Sequence, residues 1–347
     1  MKKIFSGLLL FLSLLLLSGC ELAGKPDGGV YKSIDDGKTF QQKARISEES
    51  SMSNVNILSL ELDPNDHQIL YVGTSASGLF RSTDGGDTWM KDINNFQNIT
   101  DIAIHPNNSD VIYVAARKGG RGKVLKTENG GQDWSEVYTF NIDGPVVASL
   151  AMDRKNPNSL YIGTSEGGIL KTEDGGQTWR SLFWGKSSIR KIVFDKANSE
   201  VIYFGTVSNG LLVTKDGGRN FNEIKESGYV YNIVVHPWIE GVVYLSDKDG
   251  LQKSSNFGEE WEVINTLVKP EDLGSRGLDI NPNNPEEIYY ASVRAFYKST
   301  NGGYSWTPVQ FDTSRSIEII RIDPVEENVI YLGMYNRSGG SGIKLLP

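Results

Sequence analysis

Thr172-Glu-Asp174-Gly-Gly176-Gln-Thr178-Trp179 is one of seven copies of a single phrase, Ser/Thr-x-Asp/Asn-x-Gly-x-x-Trp/Phe, and this phrase decides the fold. The earlier copies are Ser33-Ile-Asp35-Asp-Gly37-Lys-Thr39-Phe40, Ser82-Thr-Asp84-Gly-Gly86-Asp-Thr88-Trp89 and Thr127-Glu-Asn129-Gly-Gly131-Gln-Asp133-Trp134. The later ones are Thr214-Lys-Asp216-Gly-Gly218-Arg-Asn220-Phe221, Ser254-Ser-Asn256-Phe-Gly258-Glu-Glu260-Trp261 and Ser299-Thr-Asn301-Gly-Gly303-Tyr-Ser305-Trp306. Successive copies are 49, 45, 45, 42, 40 and 45 residues apart. Self-similarity at such a period marks a repeat architecture, each repeat being one supersecondary unit.

Each copy has the chemistry of a tight hairpin. Asp-Gly or Asn-Gly supplies the positive-φ residues that a short turn needs. The Ser/Thr and Asp/Asn side chains are suited to bond turn backbone that would otherwise be unpaired. The closing Trp or Phe packs its ring where the outgoing strand starts. Five of the seven Trp stand in these boxes, so most of the chain's Trp is structural.

A second motif precedes every box but the first. Leu60-Glu-Leu-Asp63-Pro64 leads to Ile69-Leu-Tyr71-Val-Gly73-Thr, and Ile102-Ala-Ile-His105-Pro106 leads to Val111-Ile-Tyr113-Val. Similar stretches begin near Leu150, Ile192, Ile233, Leu278 and Ile320. Each reads as a strand, a turn and a second β-rich strand. A unit therefore holds four strands: A before Asp-Pro, B at Tyr-Val-Gly, C before the box and D after it. Four short strands repeated radially predict an all-β, seven-bladed β-propeller. Boxes and A–B pairs are out of phase, so the chain ends combine in one blade. Residues 29–42 join residues 317–345 there. Either the N-terminal segment supplies both C and D, or Gly342-Ile-Lys-Leu-Leu346 is strand C and the N-terminal segment adds only the outer strand.

The boxes resemble BNR/Asp-box repeats, and the likeness covers almost all of the chain after residue 28. The full unit resembles repeats of sortilin-type receptors, xyloglucan-cleaving glycosidases and the photosystem II stability/assembly factor, while sialidases share the box alone. The resemblance implies that Asp35, Asp84, Asn129, Asp174, Asp216, Asn256 and Asn301 are structural. It also implies that the boxes lie on the face opposite the one that binds, which carries the B-to-C and D-to-A loops around a central funnel. Fold recurs across unrelated functions, so function must be sought between the motifs.

Composition narrows the classes. The 347 residues carry a net charge of -8, 22% charged and 38% hydrophobic residues, 38 Gly and 12 Pro. The acidic balance argues against nucleic acid as partner. One Cys and three His exclude an internal disulfide and a Cys/His zinc site, and no metal or cofactor is expected. Residues 1–19 read as a signal peptide: Lys2 and Lys3, then an apolar stretch too short to span a bilayer. Leu17-Ser18-Gly19-Cys20 resembles the bacterial lipobox, which implies cleavage before Cys20 and lipid on its thiol. Residues 20–28 then form a lipidated, flexible tether and residues 29–347 the propeller.

Inside the ring, the position two residues before Asp-Pro is small or branched at Ala103, Ala151, Val193 and Val234, but charged at Glu61, Asp279 and Arg321. Those three fall on neighbouring blades 1, 6 and 7. They read either as an ion triad stitching the closing blade or as the carboxylate pair of a glycosidase with an Arg partner. A sialidase is disfavoured, because Arg45-Ile46-Ser47 lacks the Pro of that family's motif and follows the first box. Arg276 and Arg315 in D-to-A loops, with Arg294 and Arg337 in B-to-C loops, are expected to share one basic sector of the funnel face, suited to an anion or acidic peptide. Arg117-Lys118-Gly-Gly-Arg121-Gly-Lys123 reads as a second basic loop or as a solvated hairpin. Phe183-Trp184 reads as an exposed stacking platform or as packing over the propeller face. The expectation is a monomeric, exported, lipid-anchored, non-catalytic binding or assembly module holding a protein partner in the cell envelope. The rival is a glycan-binding or glycoside-hydrolysing surface protein.

Overall fold

The computed structural model describes residues 26–48, 50–225, 228–270, 277–292, 295–311 and 313–337. The signal segment, Cys20, Arg276, Arg294 and Gly342–Leu346 lie outside the described residues. The chain forms seven antiparallel sheets of four strands each. Blade 1 shows the pattern: A is Ile57–Leu62, B Leu70–Thr74, C Leu79–Ser82 and D Met90–Lys91. In chain order, blade 2 runs from Gln97 to Thr139, blade 3 from Val147 to Trp184, blade 4 from Ile189 to Lys225, blade 5 from Asn232 to Ile264 and blade 6 from Leu278 to Gln310. All five residues of strand B in blade 1 are buried, whereas both residues of D are exposed. Strand B has a strand on either side and a blade against each face, hence its unbroken apolar run. Seven separate apolar clusters each join residues of two adjacent blades, so the core is a ring of seven sheet-on-sheet interfaces.

The glycine of the Tyr-x-Gly-Thr strand serves this packing. A Cβ on Gly163 would lie 2.4 Å from Ser149 Oγ and 2.6 Å from Ile189 Cγ2 and from the Ile189 carbonyl oxygen, the latter two in the next blade. No heavier residue lets the neighbouring inner strand come so close.

Closure follows the out-of-phase repeats. Blade 7 takes A (Ser316–Ile322) and B (Ile330–Tyr335) from the C-terminal part and C (Val30–Ser33) and D (Gln41–Lys43) from the N-terminal part. Val30 pairs with Gly333 and Ser33 with Ile330, so the strand C position is filled by the N-terminal segment.

The seven boxes are built alike. Each Ser/Thr hydroxyl donates to the Asp/Asn Oδ1 at 2.7–3.0 Å. The same hydroxyl accepts the Gly N–H four residues on at 2.8–3.0 Å. Box backbone also donates to the A–B turn of its own blade, as in Gly85 to Gln68, Gly175 to Asn158 and Gly302 to Glu286. Boxes and A–B turns thus share one face, and the B–C and D–A loops form the other. Three of the box tryptophans do more than start a strand: their indole N–H groups reach back to the preceding blade, from Trp89 to Lys43 O, Trp179 to Val137 O and Trp306 to Asn265 O, each at 2.9 Å.

Ser82→Ala is expected to cost about 1–3 kcal/mol, because the buried Gly86 N–H loses its acceptor; urea unfolding measures it. Box acids also respond to pH. Bonds from Thr39 and Thr178 hold Asp35 and Asp174 at about 2, and those from Asn220 hold Asp216 lower still. Asp84 is lowered too, its bonds to Thr88 and Ser82 outweighing burial. A depressed carboxyl stabilises the fold above its unfolded value and ceases to do so as pH falls through its folded value. Thermal stability should therefore drop between about pH 4 and pH 2. Changing all four acids to Asn, the residue already present in three boxes, should shrink that drop.

Candidate functional site

The inner strands line a central channel, with side chains on every second residue facing it. Glu61, Asp279 and Arg321 stand at equivalent register, each opposite the strand B tyrosine of its blade: Tyr71, Tyr289 and Tyr331. Arg321 Nη2 donates to Glu61 Oε1 at 2.6 Å, across the junction between blades 7 and 1. Burial opposes the Arg321 charge, but Glu61 and Asp279 more than offset it and the guanidinium is held firmly protonated. Burial pushes the Asp279 carboxyl up, against Arg321 and Lys196, and its Oδ1 accepts the Ile280 N–H at 3.0 Å.

Two further charges belong to this channel and escaped the sequence reading. Asp101 and Lys191 lie two residues before Ala103 and Val193 on the same strand faces, one layer along. The signal was the same alternation, extended by one step. Asp101 Oδ2 accepts the Leu150 N–H of blade 3 at 3.0 Å. Burial raises its carboxyl to about 6, moderated by Lys191. Burial, reinforced by Arg321, lowers the Lys191 ammonium, which Asp101, Glu61 and Asp279 partly restore. The channel is therefore a mixed-charge core of three acids and two bases.

A raised carboxyl stabilises the fold below its unfolded value and loses that contribution as pH rises through its folded value. Asp101 thus works opposite to the box acids, over about pH 4 to 6. Asp101→Asn is expected to flatten this part of the stability–pH curve and to raise stability above pH 7 by about 2 kcal/mol or less. Asn232 already occupies the equivalent place in blade 5, where its Nδ2 donates to Leu278 O at 3.2 Å.

The basic sector is less open than its sequence implies. Arg315 is only 6% exposed. Its Nε donates to Asp27 at 3.0 Å, Nη1 to Asn56 at 2.6 Å and Nη2 to the Asn54 carbonyl at 3.1 Å. The cation expected on the funnel face is engaged by the chain's own N-terminal residues. Asp27 and Gly28, read as the end of a flexible spacer, are correspondingly tied down: Gly28 N–H donates to Ser53 O at 2.6 Å. Arg337 lies on the funnel face with a 41% exposed side chain, and pairs with Glu318 at 2.6 Å.

The 117–123 loop is a regular hairpin turned at Gly119 and Gly120. Arg117 donates to Gly144 O, Arg121 pairs with Asp143 and Lys123 with Glu136. Phe183 packs against Phe221, ring centroids 5.2 Å apart, while Trp184 is 58% exposed at the end of its strand D. Among the described residues no group of three or more His, Cys, Asp or Glu is placed to hold a metal. A groove of about 610 Å³ runs between Gln42–Arg45 and Ser50–Ser51, beside the ring closure and away from the channel charges.

Comparison with known proteins agrees with this architecture. The family model described as Sortilin, neurotensin receptor 3, matches residues 28–139 and 122–237. A xyloglucanase of Hypocrea jecorina (strain QM6a) is 26% identical over an alignment covering 37% of this chain and 17% of its own length. The chain spans less than a fifth of the length of the curated relatives it matches. Among solved structures, the GH74 xyloglucanase from Xanthomonas campestris superposes with a TM-score of 0.70 at 19% identity, over 81% of this chain and 51% of that one. YCF48 bound to D1 peptide superposes with a TM-score of 0.61 at 17% identity, over 80% of this chain and 93% of that one. At these identities the likeness is one of fold.

Proposed function

The chain belongs to the Sortilin-Vps10 family, and from that premise we propose that it is a membrane-anchored, non-catalytic binding or assembly module whose funnel face holds a protein partner. The observation that carries this reading is the engagement of the candidate carboxylates. Glu61 is paired with Arg321 across the ring closure, while Asp101 and Asp279 are pushed up by burial and accept backbone N–H groups. That arrangement suits stitching between blades better than the acid and nucleophile of a glycosidase, which must both face substrate. The lipobox-like Leu17–Cys20 supports an anchor on Cys20 at the extracytoplasmic side of a membrane. YCF48 with its D1 peptide supplies a precedent for a propeller of this shape holding a peptide.

The test is crosslinking in the native membrane followed by affinity purification, comparing the wild type with an Arg276→Glu, Arg294→Glu, Arg337→Glu variant. Arg315 is left intact because it holds the N-terminal segment. A stoichiometric partner that the variant loses is the expected result. A partner indifferent to the variant removes the basic sector from the binding site, and no partner at all overturns the assembly role.

Trp184 favours a second reading, glycan binding, since an exposed indole on the funnel face suits stacking against a sugar ring. Saturable glycan binding lost in Trp184→Ala would support it. Hydrolysis of a glycan, abolished by Glu61→Gln with Asp279→Asn in a protein that still folds, would make the chain an enzyme.

A further inference from the structure

We infer that the funnel face is turned toward the bilayer, resting on it through exposed apolar residues at its rim. This rests on the anchored reading above and adds the orientation of the module to it. The first observation is where the chain enters the fold. Asp27 Oδ2 accepts from Thr313 Oγ1 at 2.8 Å and from Ser314 N–H at 2.6 Å, and its Oδ1 accepts from Arg315. Thr313–Arg315 lie in the D–A loop from blade 6 to blade 7, and Ser53, the partner of Gly28, in the next D–A loop. The segment that leads back to Cys20 therefore leaves from the funnel face.

The second observation is length. Five residues separate Cys20 from Pro26, and the six Cα-to-Cα steps between them span about 20 Å when fully extended. A blade strand of four to seven residues covers about 13–23 Å, before the turns at either end are added. The tether is too short to pass round a blade and bring the box face down to the membrane.

The third observation is what the funnel rim presents. At the D–A corners of blades 1, 2 and 3 stand Ile93 (90% exposed), Ile142 and Trp184, with Leu267 at that of blade 5. An indole and branched aliphatic side chains are those that enter the membrane interface favourably. The box face also exposes apolar residues, Trp238 and Tyr304 among them; the exit of the tether is what selects the funnel side. Any partner gripped in the funnel is then one presented from the membrane itself.

The two exposed tryptophans, Trp184 at the funnel rim and Trp238 in the A–B turn of blade 5, stand on opposite faces and supply the test. The lipidated full-length protein is reconstituted into phosphatidylethanolamine–phosphatidylglycerol vesicles, part of the lipid brominated on its acyl chains, and tryptophan quenching is read. Flotation with the vesicles first establishes the anchor, so failure of anchoring is seen separately. Quenching that is lost in Trp184→Phe and kept in Trp238→Phe is expected. The opposite pattern, or anchored protein in which neither indole is quenched, overturns the inference. A variant with Ile93→Asn and Ile142→Asn should reduce the quenching of Trp184 while leaving flotation intact.

Discussion

Replacing Arg315 with Ala should loosen the ring at its closure and lower stability by about 3–5 kcal/mol, the usual cost of leaving one member of a buried ion pair without the other. The guanidinium sits in the C-terminal half of the closing blade's entry loop, and everything it holds is N-terminal: Asp27, Asn54 and Asn56. Several bonds from Thr313, Ser314 and Arg315 outweigh burial and keep the Asp27 carboxyl below its ordinary value, so it remains charged when its partner is removed. The site is also packed against the guanidinium: a Cβ on Gly28 would meet Arg315 Cζ at 2.6 Å. Arg315→Lys should recover little, because one ammonium cannot serve three acceptors in a plane. Urea unfolding measures the loss. Hydrogen exchange locates it, with Val30–Ser33 and Gln41–Lys43 exchanging faster while blades 3 and 4 are unchanged. Normal protection of Val30–Ser33 in the Ala variant would show that strand pairing with Ile330–Gly333 closes the ring unaided.

Arg321→Ala should cost a similar amount, about 3–5 kcal/mol, for a different reason. Here the cation stands among Glu61, Asp279 and Asp101, and its loss leaves like charges sharing the channel, with Lys191 still acting on Asp101 and Lys196 on Asp279. Burial already raises Asp101 and Asp279, so the carboxyls can take up protons when the guanidinium is gone. The loss should therefore be smaller at pH 5 than at pH 8. Arg321→Met combined with Glu61→Leu should return most of the stability, since an ion pair replaced by apolar groups of similar size is often neutral. A double-mutant cycle over Glu61 and Arg321 gives their coupling. If Arg321→Ala left both stability and its pH dependence unchanged, the channel charges would not be stitching the blades.

The two effects differ in kind. The first removes a clasp between chain ends, so its consequences are local to blade 7. The second disturbs a charge cluster to which blades 1, 2, 4, 6 and 7 all contribute, so it should lower protection around the whole inner ring.

Blade number, strand order and the joining of the chain ends were legible in the amino-acid sequence, because they rest on signals that repeat within a few residues. Asp174-Gly-Gly176 forces a hairpin wherever it stands, the Leu-Tyr-Ile-Gly-Thr run at Leu160–Thr164 can only be a strand buried on both faces, and the missing A–B pair before Ser33 leaves one place for it to go. Glu61 and Arg321 could be placed at one level of the channel by the same counting. Only the tertiary structure decided what each charge touches. Arg315, which stands in a loop and reads as a free cation, is enclosed by residues 259–288 positions away. Asp101 and Lys191, unremarkable members of alternating strands, share a channel because blades 2 and 4 face the same axis. Turn chemistry and strand periodicity act between neighbours along the chain. Ion pairing acts through space, and the distances that govern it exist only once the ring has closed.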